Sequence, residues 1–70
     1  MKFGVLQFFS WPGRRNPLEV VYDRAFDRIR MMDECGYDAV WLAEHHFSTY
    51  SVCPSVHMVG THIAAQTKNI

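Results

Sequence analysis

Two short apolar runs separated by one long amphipathic stretch constrain this chain more than anything else in it. Phe3 to Phe9 (Phe-Gly-Val-Leu-Gln-Phe-Phe) is uncharged and does not alternate. That pattern suits a parallel strand covered on both faces. Ser10 to Asn16, with Pro12 and Gly13 at its centre, is turn chemistry and ends the strand. A helix is then predicted over 17–35. Asn16 can serve as N-cap, Pro17 takes the first helical position and Glu19 falls three after the cap, an Asx variant of the capping box. Leu18, Tyr22, Ala25, Ile29 and Met32 recur at spacings of four and three and make one apolar stripe. Gly36 supplies the left-handed residue that stops the helix, and Tyr37 can pack back onto it. Residues 38–43 (Asp-Ala-Val-Trp-Leu-Ala) form a second buried-type strand. Strand, helix and strand in this succession make a βαβ unit with parallel strands.

Residues 44–53 read as a loop. Pro54 opens a second helix over 54–67, with Val56, Val59, Gly60, Ile63, Ala64 and Thr67 as its buried stripe. Lys68-Asn69 reads as a stop, and Ile70 as the first residue of a further strand. Two strands with two helices leave sheet edges unpaired and a helix face uncovered. The expectation is therefore a fragment, or a chain that needs the rest of its polypeptide, without catalysis of its own.

Charge and cysteine usage exclude several classes of function. Seven basic and seven acidic side chains cancel, so nothing attracts nucleic acid or an anionic membrane. Arg14-Arg15 is the only basic cluster and reads as a solvated turn. No apolar stretch approaches the roughly 20 residues of a membrane span, and Met1 to Phe9 lacks the cleavage site of a signal peptide. Cys35 and Cys53 belong to no C-x-x-C pair and read as reduced thiols. The expected location is the cytoplasm.

Chemistry concentrates in Glu44-His45-His46-Phe47, at the end of the second strand. Active sites of parallel α/β proteins gather where strands end and βα loops begin. One carboxylate and two imidazoles there can transfer protons, hydrogen-bond a cofactor or bind metal. On extended backbone Glu44 and His46 share one side and His45 takes the other, so the three should not converge. A strand-capping histidine beside a solvated one is the plainer alternative. Metal ligation would need His57 or His62, but these lie about 140° apart round their helix, and no spacing matches a zinc motif. No metal site is expected. Phe8, Phe9 and Trp11 are either core or the lining of a flat pocket. The Tyr50-Ser51 hydroxyls read as exposed loop groups. Glycine-rich nucleotide loops and G-x-S-x-G are missing.

Met1-Lys2-Phe3-Gly4, Gly36-Tyr37-Asp38 running on through Trp41-Leu42-Ala43-Glu44-His45-His46-Phe47, Pro54, and Ala64 to Ile70 together resemble the bacterial luciferase-like, flavin-dependent monooxygenases. The likeness runs in order along the whole chain, and its central segment is the specific part. It implies an α/β fold, the N-terminal β-α-β-α portion of a TIM (β/α)8 barrel domain, incomplete within residues 1–70. It also implies reduced FMN and dioxygen acting on a small organic substrate, a flavin-reductase partner and a dimer formed partly through the second helix. His45 corresponds to the family's proton-transfer histidine, with Glu44 and His46 in support. The flavin phosphate site comes largely from later strands in this family. Related barrels use deazaflavin instead, and that cofactor is the alternative expectation.

Overall fold

A computed structural model describes all seventy residues, 1–70. The order is β1 (Gly4–Gln7), a 3-10 turn (Pro12–Arg14), α1 (Leu18–Glu34), β2 (Ala39–Leu42) and α2 (Val56–Gln66). β1 and β2 pair in parallel, with Gly4 opposite Ala39, Leu6 opposite Trp41 and Gln7 opposite Leu42. The apolar runs at 3–9 and 38–43 therefore carry ladder hydrogen bonds only over their central residues, and Phe8 and Phe9 continue past the paired part of β1.

One face of this small sheet holds the core. Phe9, Val21, Ala25 and Cys53 are buried together, with Tyr22, Phe26, Leu42, Val56 and Val59 packed against them. Both helices thus lie on the same side. The opposite face is bare: Leu6 and its cross-strand partner Trp41 are 59% and 66% exposed. The sheet is covered on one face where the sequence pattern calls for two. Accordingly the surface area is 5146 Å², against about 4,500 Å² for a compact protein of this mass.

The helix starts differ from expectation in an instructive way. Pro17 is itself the N-cap of α1, in extended backbone at φ −55° and ψ 140°, and no side chain caps this end. Asn16 does not cap; its carbonyl accepts from the Trp11 indole N–H at 2.6 Å. At α2 the cap is Ser55, whose hydroxyl accepts from the Met58 N–H at 3.4 Å, so Pro54 stands just outside the helix. The buried row of α1 is Val21, Ala25, Ile29 and Asp33, rotated from the expected stripe, and Leu18 is left exposed. On α2 only Ile63 is buried, and Ala64 is exposed. The far end of α1 follows the sequence closely. Gly36 has φ +86°, its N–H donates to Asp33 O at 3.3 Å, and the Tyr37 N–H donates to Met32 O at 3.0 Å. This is a Schellman turn.

Asp33 carries a tie that no local pattern announces. Its Oδ2 accepts the Lys68 N–H at 2.9 Å, and its Oδ1 accepts those of Asn69 and Ile70 at 2.8 and 2.9 Å. Residues 68–70 form no strand; their amides converge on this carboxylate. The Lys68 and Asn69 N–H bonds hold the Asp33 carboxyl below its ordinary 3.8, outweighing the opposite pull of desolvation. A lowered folded-state pKa gives stability that is complete above the ordinary value and is lost as pH falls through the folded one. The urea midpoint of the protein should thus fall as pH drops from about 5 toward 2. Asp33→Asn should lower the midpoint at neutral pH and flatten that acid slope. An unchanged slope in the variant would remove Asp33 as its source.

Candidate functional site in the second βα loop

The residues just past β2 divide between two environments. His46 Nε2–H donates to Glu44 Oε2 at 2.9 Å, since an ionised carboxylate can only accept. Glu44 Oε1 also accepts the backbone N–H of Val56 at 3.2 Å, at the N-terminal end of α2. The His46 hydrogen bond, and then the Val56 N–H, hold the Glu44 carboxyl below its ordinary value. With these side chains 42% and 52% exposed, the pair adds little stability as an ion pair. Its effect is geometric, joining the mouth of β2 to the start of α2.

His45 takes no part in that pair. Its ring meets Phe8 edge-on at 5.3 Å and 75°, and Tyr50 at 5.9 Å and 66°. Phe8 and Tyr50 meet each other at 5.5 Å and 68°, so three rings touch in mutual T-shaped contacts of the kind aromatic quadrupoles favour. The His45 backbone N–H donates to Cys53 O at 2.8 Å. Its Nδ1 is buried with no hydrogen-bond partner. Packing against Phe8 and Tyr50 therefore orients this imidazole.

Long-range ties hold the loop in place. The Phe9 N–H donates to Ser51 Oγ at 3.0 Å, the Val52 N–H to Phe9 O at 2.8 Å and the Trp11 N–H to Thr49 O at 3.0 Å. The Tyr22 hydroxyl, whose pKa is raised by burial, donates to Val52 O. Ser51, expected to be an exposed loop hydroxyl, is fully buried, and Tyr50 is exposed with its ring on His45. Phe9 is core, whereas Phe8 and Trp11 border the loop. Cys35 and Cys53 are both free thiols. Burial raises the Cys53 thiol pKa, which makes it a packing group rather than a nucleophile.

Between the loop and α1 lies a cavity of about 320 Å³, within the size range of small-molecule sites. Leu18, Tyr22, His45, His46, Phe47 and Pro54 are among its walls; Glu44 is not. Phe47 is fully exposed and holds a left-handed backbone at φ +56°, a conformation uncommon for a bulky non-glycine residue. His62 packs on Phe26 at 4.5 Å, and no three ligating side chains come together for a metal. Tyr22 and Ser51 were not foreseen, because their partners lie 30 and 42 residues away. The position of Tyr22 on an amphipathic stripe was the only available signal.

The whole chain, residues 1–70, matches the family described as luciferase-like monooxygenase. It is 31% identical over all 70 residues to the alkanal monooxygenase alpha chain of Photorhabdus luminescens. It is 27% identical over the same length to the alkanal monooxygenase alpha chain of the Kryptophanaron alfredi symbiont, and likewise to an uncharacterized protein of Sinorhizobium fredii. The chain spans 19% of the length of both alkanal monooxygenase relatives and 20% of the third. A match along every residue, with the His45 constellation at the mouth of β2, places it: the chain belongs to the luciferase-like monooxygenase family.

Proposed function

We propose that the full-length protein is a flavin-dependent monooxygenase that uses reduced FMN and dioxygen to oxidise a small organic substrate, with His45 as its proton-transfer residue. The observation that carries this reading is His45, which lines a cavity at a strand's C-terminal end and whose buried Nδ1 has no hydrogen-bond partner in the protein. A nitrogen sealed away from water without a protein partner costs about 1–3 kcal/mol unless a ligand completes it. The Tyr22 and Phe47 rings beside the His45 and His46 imidazoles suit a flavin ring, and the donor set does not suit a metal.

When bound, reduced FMN supplies the electrons that activate dioxygen. The chain's own residues orient and protect that chemistry. Phe8 and Tyr50 fix the plane of the His45 ring, and His45 holds or delivers a proton. Glu44 and His46 support it by fixing the backbone on either side. In this reading β1, α1, β2 and α2 are the first two βα units of an eight-stranded barrel within one domain, and the Leu6–Trp41 face turns toward the barrel interior. The uncovered side of α2, with Met58, Thr61 and Ala65 exposed, suits a dimer contact, and a flavin reductase supplies the reduced cofactor.

An oxygen electrode tests the reading. Reduced FMN with substrate should give oxygen uptake and a product carrying one added oxygen atom. Reduced deazaflavin should support neither. Hydride transfer to or from deazaflavin without oxygen uptake would replace the monooxygenase reading with a deazaflavin-dependent oxidoreductase.

A further inference from the structure

The first βα loop and the tip of the second flank another cavity, open to solvent and of about 580 Å³, lined by Trp11, Arg14, Phe47, Ser48, Thr49 and Val52. Its composition differs from that of the histidine cavity. The Arg14 guanidinium carbon lies 5.5 Å from the centre of the Trp11 ring, in cation–π range. Neither ion pair in the molecule uses Arg14, so its charge is uncompensated by any carboxylate. A guanidinium has five N–H donors, and those not engaged by the protein can receive a carboxylate with two parallel hydrogen bonds. Phe47 supplies a second, fully exposed ring.

The walls are positioned rather than incidental. The Trp11 N–H donates to Thr49 O at 3.0 Å, which joins the two loops. The Trp11 indole N–H donates to Asn16 O and the Arg14 N–H to Trp11 O, at 2.6 and 3.2 Å. Arg14 and Phe47 are the two non-glycine residues with left-handed backbone, at φ +51° and +56°, and both line this cavity. Strain of that kind clusters at binding sites. Phe47, Ser48 and Val52 also border the cavity that contains His45. A molecule seated here therefore lies against the same wall as the histidine.

We propose that this second cavity is a substrate subsite for a planar unsaturated group bearing a carboxylate, with Arg14 binding the anion and Trp11 and Phe47 stacking on the flat part. The proposal rests on the monooxygenase reading in taking the occupant to be the substrate.

The test is equilibrium binding to the full-length protein, without oxygen, of cinnamate, its uncharged analogue cinnamamide and, in a separate titration, FMN. Wild type should bind cinnamate at least tenfold tighter. Arg14→Gln should abolish that preference while leaving the affinities for cinnamamide and FMN as they were; retained cinnamamide binding shows that the variant is folded. Arg14→Lys should restore part of the preference, and Trp11→Leu should weaken both probes together. Equal binding of the two probes by wild type, or a preference that survives Arg14→Gln, overturns the proposal. A matching loss of FMN affinity in Arg14→Gln also overturns it, by assigning Arg14 to the flavin phosphate. Because the oxygen assay above uses neither probe, failure of this subsite leaves the monooxygenase reading standing, and failure of that reading leaves the binding result intact.

Discussion

On the proposed reading, His45→Ala in the full-length protein should lower product formation from reduced FMN and oxygen by roughly a hundred- to ten-thousand-fold, the usual worth of a positioned proton-transfer group. The loss should fall on kcat more than on KM, because the imidazole contributes to the reaction step and little to holding the substrate. Phe8 and Tyr50 lose a ring neighbour in this variant but no hydrogen bond, so the fold should survive. Glu44→Gln should be milder, since a neutral amide oxygen can still accept the Val56 N–H. Single-turnover kinetics with pre-reduced flavin make the measurement. Turnover in His45→Ala close to wild type would remove His45 from the chemistry and leave the cavity without an acid or base of known role.

The largest stability effect is expected at Phe9. Its ring is fully buried and meets Tyr22 at 4.8 Å and Phe26 at 6.2 Å, while its backbone N–H and C=O hold Ser51 and Val52. Phe9→Ala should cost about 3–5 kcal/mol, a large share of the roughly 5–15 kcal/mol that keeps a typical domain folded. Because the Phe9 ring packs in the same cluster as Val52 and Cys53 of the second βα loop, activity should fall at temperatures where the variant is still folded. Urea denaturation followed by far-UV circular dichroism reads the first effect and activity against temperature the second. A loss below about 1 kcal/mol would mean that the Tyr22–Phe26 cluster closes over the vacated space.

The parts of the fold legible in the sequence are those set by neighbouring residues. Gly36 and Tyr37 announce the end of α1, because only a left-handed residue lets the final amides turn back onto Asp33 and Met32. Alternation past β2 separates His45 from Glu44 and His46, and the Glu44–His46 hydrogen bond reflects it. The helix starts are not decided by the sequence, because a proline is compatible with both the N-cap and the first helical position. The choice depends on where the Asn16 carbonyl and the Ser55 hydroxyl find partners. Asp33, Ser51 and Tyr22 lay beyond reach for a different reason, since each is defined by a bond spanning 30 residues or more. Arg14 reads as a solvated turn until the Trp11–Thr49 bond brings the two loops together.

The bare Leu6–Trp41 face also bears on how such a chain behaves before its sheet is covered. Phe3 to Phe9 has no charge and no proline, and it presents Phe3 and Leu6 at 59% exposure each. A segment of that composition on an unprotected strand edge is a nucleus for intermolecular pairing. Lys2 before it and Pro12 with Arg14 after it flank the run as gatekeepers, a charge and a ring that a growing cross-β stack does not accommodate. Neutralising Lys2 should therefore lower the concentration at which residues 1–70 alone aggregate, as read by light scattering.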